Sequence, residues 1–191
     1  MKRRVNIMTE KETRTLICAA DGKLEGQIVP FIQGLPFTGN ITLHYSARNV
    51  GFVDGDVSIL TIKLPDEFKY VASVPEFSKY IKGTLHIQAL LGHNETELTP
   101  EMIETYTDRI IIYTPHTFWI GVGEVEADLT INYGEFLTEY PSLPISDAPL
   151  GYIFMAQLKY DSAMWDVIKD PILGTNDETY ITKETTAIVD Q

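Results

Sequence analysis

The sequence predicts an all-β fold, an antiparallel β-sandwich with one or two short helical turns. Three observations carry this. Ile41, Leu43, Tyr45 and Ala47 alternate with Thr42, His44, Ser46 and Arg48, the period of two that marks a strand with one buried and one wet face. A cleaner alternation sets Val125, Ala127, Leu129, Ile131 and Tyr133 against Glu124, Glu126, Asp128, Thr130 and Asn132. About eight to nine strand-like runs follow one another without an intervening helical rhythm, which argues against a parallel α/β sheet.

In chain order, residues 1–12 form a polar N-terminal segment. The sandwich is expected over 13–169, and 170–191 is an acidic, Thr-rich tail or terminal strand. Thr13–Ala19 is a candidate strand, closed by the Asp21-Gly22 turn signal. Gly26–Ile32 is apolar but holds Pro30, so it is either an edge strand or an extended crossing. Asn40–Leu64 is expected at the centre of an antiparallel sheet, two strands joined at Val53–Asp56 and stopped by Pro65, which has no N–H for a ladder. Pro75–Ile81 suggests a helical turn with Gly83 as its stop, followed by a strand over Thr84–Leu90 and a loop over Gly92–Thr96. Thr99-Pro100-Glu101 is a helix-start pattern, and it must be brief because a β-branched run opens at Ile110. Thr117–Val122 is a β-prone aromatic run. Tyr140–Pro149 holds three prolines and reads as a surface loop. Leu150–Tyr160 alternates again, Ser162–Lys169 is a last helical turn or strand, and Thr179–Val189 can add one strand.

Length and composition bound the function. A chain of 191 residues with 44% hydrophobic residues is one domain with a sizeable core. Its net charge of −12 is uneven, +2 over residues 1–94 and −14 over 95–191. That field disfavours nucleic acid and anionic lipid as partners. The single cysteine, Cys18, forms no internal disulfide and reads as a buried strand residue. No apolar run approaches a membrane span, and the basic start meets Glu10, Lys11 and Glu12 before any apolar stretch, so it is not a signal peptide as written.

Catalysis finds little support. Glu124, Glu126 and Asp128 share a strand face about 7 Å apart, a spacing near that of paired glycosidase carboxylates. Alternation alone produces that row, and the wet face of a sheet is its ordinary home. His44 and His86 could meet across a sheet, but no carboxylate lies at ligand spacing beside them in sequence, and neither metal nor cofactor is expected. No nucleophile elbow, P-loop or dinucleotide fingerprint occurs. The sequons at Asn40 and Asn94 matter only in a eukaryotic secretory setting. For binding, the candidates are Tyr140, Pro141, Leu143, Pro144 and Pro149 of the rigid proline loop, with Trp119 from the aromatic run.

The stretch from Gly39 to Tyr70, with its phrase Leu64-Pro65-Asp66-Glu67-Phe68, resembles Ig-like adhesive domains of Gram-positive bacterial surface proteins, over about residues 39–168. The resemblance implies an Ig-like sandwich, extracellular or at the cell surface, that binds a host or cell-wall ligand without transforming it. Leu143-Pro144-Ile145-Ser146 lacks the Thr-Gly of a sortase signal. The internal isopeptide bond common in such domains would need Lys63, Asn132 and Asp128 to meet. The expected function is therefore a non-catalytic binding module for a protein or glycan, with possible self-association through edge strands. The alternatives are an assembly subunit of an appendage or particle and a carbohydrate-active enzyme.

Overall fold

The structure, a computed structural model, describes residues 16–55, 58–114, 117–146, 148, 151–160 and 174–181. Among these, ten strands form two antiparallel five-stranded sheets: β1 (Leu16–Val29), β2 (Asn40–Gly55), β3 (Ser58–Lys63), β4 (Ile81–Leu91), β5 (His93–Glu97), β6 (Ile103–Tyr106), β7 (Arg109–Tyr113), β8 (Thr117–Ile131), β9 (Tyr152–Tyr160) and β10 (Gly174–Ile181). The first sheet has the order β1-β2-β8-β4-β5 and the second β10-β9-β3-β7-β6. This is the sandwich that the alternation predicts. Ile41, Leu43, Tyr45 and Ala47 from β2 and Val125, Ala127, Leu129 and Ile131 from β8 are all buried against Leu60, Ile62, Ile110, Ile112, Phe154 and Leu158 of the opposing sheet. No helix of the described residues is long and apolar enough to cross a membrane.

Several local expectations are corrected. The two strands over Asn40–Leu64 do not pair with each other. Both edges of β2 are taken, by β1 and β8, so β3 passes to the second sheet, where it lies between β9 and β7. The Asp21-Gly22 signal does not end a strand: β1 runs through it, with a register shift between Ala20 and Lys23 that absorbs the irregularity. It ends at Val29, before Pro30, and is an edge strand as one of the two readings held. Gly83 is no stop. It sits inside β4 because a Cβ there would run into the carbonyl of Asp128, and the glycine lets β4 close on β8. Residues 93–97 are not a loop but the edge strand β5, whose polar side chains suit an unpaired edge. β6 went unread, because four residues ending in a turn leave almost no periodicity.

The turns fall near their predicted places. A 3-10 turn spans Pro75–Tyr80 and another Pro100–Met102, each with proline at its start. A short helix, α1 (Lys69–Ala72), follows a 3-10 turn at Asp66–Phe68. Tyr133 begins a second helix, α2 (Tyr133–Glu139), rather than ending the preceding strand. Its buried residues Tyr133, Phe136 and Leu137 hold the i, i+3, i+4 spacing of an amphipathic helix. Phe136 packs edge-on to Phe77 at 5.1 Å and Tyr80 at 5.3 Å, which fixes α2 over the end of the sandwich. Cys18 is a strand residue opposite Val50. The readings of residues 1–12 and Ser162–Lys169 lie outside the described residues, as do the ends of the tail around β10.

Candidate functional site

A cleft of about 530 Å³ opens at the end of the sandwich where β1, β8 and α2 meet. Three segments build it. The β1–β2 connection contributes Pro30, Phe31, Gln33 and Gly34, α2 contributes Tyr133, Leu137 and Thr138, and the proline loop contributes Pro141, Leu143, Ile145 and Ser146. Tyr152, at the start of β9, completes the wall.

Local chemistry holds these walls still. In the β1–β2 connection the Leu35 and Thr38 amides donate to the Ile32 and Leu35 carbonyls, and the buried Thr38 hydroxyl accepts from the Ile32 amide and donates to the Leu35 carbonyl. The connection is seated on α2 through two glycines. Gly134 donates its N–H to the Gly39 carbonyl at 2.6 Å, and a Cβ at Gly134 would strike the Thr38 carbonyl. Gly39 has φ +75°, and a Cβ there would lie 2.6 Å from the Gly134 Cα. Both positions therefore exclude a side chain. The Tyr133 hydroxyl donates to the Val29 carbonyl at 3.0 Å, and burial raises its pKa, with nearby Tyr152 adding to the shift.

Of the residues expected to bind, Pro141 and Leu143 line the cleft. Tyr140 stands behind them. Its ring stacks on Phe136 with centroids 4.5 Å apart and planes at 21°, so it anchors the proline loop rather than facing a ligand. Pro144 is exposed and outside the lining. Pro149 lies outside the described residues. Trp119, whose side chain is also outside them, pairs through its backbone with Val53 at the far end of β8, about 40 Å of strand from Ile131. It does not join this site. The wall from Pro30 to Gly34 was missed, and the only signal for it was a run of turn residues distant in sequence from the proline loop.

The polar rows go elsewhere. Glu124, Glu126 and Asp128 project from the outer face of the first sheet. The His44 Nδ1 lies 2.8 Å from an Asp128 oxygen, while His86 is 3.9 Å from Glu95. The two histidines do not meet, because β8 separates their strands. A shallow trough runs past His44, Asp128, Thr42 and Thr84 on this face. No group of three or more His, Cys, Asp or Glu gathers as a metal site among the described residues. The isopeptide trio is not assembled: Lys63 is on the outer face of the second sheet, Asp128 on that of the first, and Asn132 follows β8.

No family model and no curated protein matches the chain. Among solved structures, it is similar to a collagen-binding domain from a Staphylococcus aureus adhesin, at 6% identity and TM-score 0.39, covering 85% of this chain and 97% of that one. It is also similar to a partial N-terminal region of an enterococcal surface protein, at 14% identity and TM-score 0.39, covering 90% of this chain and 48% of the other, so it spans about half of that region. Likenesses at this level carry no argument, and the architecture rests on the strand register.

Proposed function

We propose that this chain is a non-catalytic binding module of a secreted or cell-surface bacterial protein, which attaches to a host or cell-wall ligand by holding an uncharged segment of it in the end cleft. One observation carries the reading: none of the described residues lining the cleft bears a charge, in a chain of net charge −12. Most of the lining residues are aromatic, proline or aliphatic, but backbone groups, the Gln33 amide and the Thr138 and Ser146 hydroxyls make the exposed lining about as polar as it is apolar. The volume falls within the ordinary range of ligand pockets. A carbohydrate-active enzyme is poorly supported, because Glu124, Glu126 and Asp128 share one wet face and catalytic pairs need unlike surroundings. Assembly by strand addition is opposed at β5 by the exposed Glu95 and Glu97.

The test is binding of the purified chain to an array of extracellular-matrix and cell-wall proteins. Saturable binding is expected, weakened about tenfold or more by Gln33→Glu, which adds a charge at an exposed rim position, and by Leu143→Asp. Absence of binding across the array, or binding indifferent to both substitutions, sinks the proposal.

A further inference from the structure

The outer face of the second sheet carries a cluster that the cleft does not use. Glu104 on β6 accepts hydrogen bonds from two tyrosines through the same oxygen, Oε2: from Tyr106 at 2.8 Å and from Tyr113 at 3.1 Å. Strand alternation brings the three together. Ile103, Ile110 and Ile112 turn into the core, so Glu104, Tyr106, Ile111 and Tyr113 turn out. The hairpin register then sets the two tyrosines on either side of Glu104.

Both rings remain open to solvent, Tyr106 at 46% and Tyr113 at 39% exposure. Yet neither hydroxyl is free to wander. An exposed tyrosine ordinarily samples several rotamers, and a shared acceptor removes that freedom before any ligand arrives. The floor is covered too. Ile111, opposite Glu104, is 4% exposed although it points outward, and the same row continues through Thr61 and Gln157, both buried.

Its charges cancel. Arg109 is gripped by both Asp108 oxygens at 2.8 Å, and Lys63, opposite Arg109 in the ladder, adds to the positive field on Asp108. Glu104 and Asp108 are thus matched in number by Arg109 and Lys63, leaving the face locally neutral in a strongly acidic chain.

We propose that Tyr106, Tyr113 and Glu104 form a second binding site, for a neutral carbohydrate. A sugar ring presents a C–H face of positive edge character, which suits the negative face of an exposed aromatic ring. Its hydroxyls supply donors, and Glu104 Oε1, which has no partner among the described residues, is an acceptor between the two rings. An anionic glycan would be repelled by Glu104. A protein partner would need about 800 Å² on each side for a stable interface, far beyond two rings.

The experiment is calorimetric titration of the full chain with chitohexaose, cellohexaose and laminarihexaose, backed by an array of neutral glycans. Saturable binding of at least one is expected, weakened about tenfold in Tyr106→Ala and in Tyr113→Ala. Tyr113→Phe keeps the ring but loses its tether, and should weaken binding only about threefold. Gln33→Glu, in the cleft, should leave it unchanged, so the two sites fail or succeed separately. Thermal melts check each variant's fold, and Tyr113→Phe keeps the test open if an alanine variant misfolds. No neutral glycan bound, binding that survives loss of the rings, or rings that capture only protein would each overturn the assignment.

Discussion

Tyr113 and Tyr80 are both pushed up to about 12, for different reasons. Burial leads at Tyr113, with the Glu104 hydrogen bond second, whereas at Tyr80 a hydrogen bond to Glu139 leads and burial follows. Tyr133 is raised as well, chiefly by burial. A raised pKa means that the fold favours the protonated phenol above the ordinary tyrosine value of 10.0. The stability so gained is complete below pH 10 and is lost as pH climbs from about 10 towards 12. Melting temperatures should accordingly hold level to about pH 9 and then fall, and Tyr80→Phe should flatten part of that fall. A level profile through pH 12 would contradict the assignment. The sequence reading gave Glu104 and Tyr106 no common face, because β6 went unread, and Tyr113 joins them only through the register of β6 with β7. That register depends on a turn that no local pattern announced.

The element that decides the cleft is the seat of the β1–β2 connection on α2. Gly134→Ala puts a methyl group against the Thr38 carbonyl and 2.9 Å from the Phe31 ring, with backbone on one side that cannot swing away. A loss of about 2–4 kcal/mol is expected from such overpacking. Gly34→Ala is the control: its φ of +88° is strained for alanine, but nothing lies within 4 Å, so the cost should be only about 1 kcal/mol. Chemical denaturation of both variants checks the order, and equal losses would mean that the close approach of Gly134 to Thr38 does not lock the wall. Half of this site was legible. Pro141 and Leu143 announced themselves in a rigid loop, while α2 was hidden by an alternation that ran unbroken into Tyr133. Only tertiary packing of Phe136 between Phe77, Tyr80 and Tyr140 resolves that ambiguity between periods.

At the scale of the molecule, the pattern of buried residues was readable and the strand order was not. A side chain's face is set by its immediate neighbours in sequence, but its strand's partner is chosen by the whole core. That is why Ile41 to Ala47 were read correctly while β2 and β3 were wrongly joined. In the order β1-β2-β8-β4-β5, β8 pairs with β2 and β4 from far along the chain, so long loops must close before the central ladders can form. Refolding from denaturant should therefore take milliseconds to seconds, as all-β sandwiches do, and a microsecond phase carrying the full amplitude in stopped-flow and temperature-jump traces would be inconsistent with this topology.

β1 lies beside β10 across the two sheets, and both run towards the cleft. Leu16 therefore sits at one end of the sandwich and Ile181 at the other. A pull between these two points runs along the strands. Antiparallel ladder bonds stand perpendicular to the strands, so such a load strains every rung between β1 and β2 at once instead of opening them one by one. A protein hung between a surface and its ligand by these ends would yield abruptly and late, as a bolt does, rather than peel like tape.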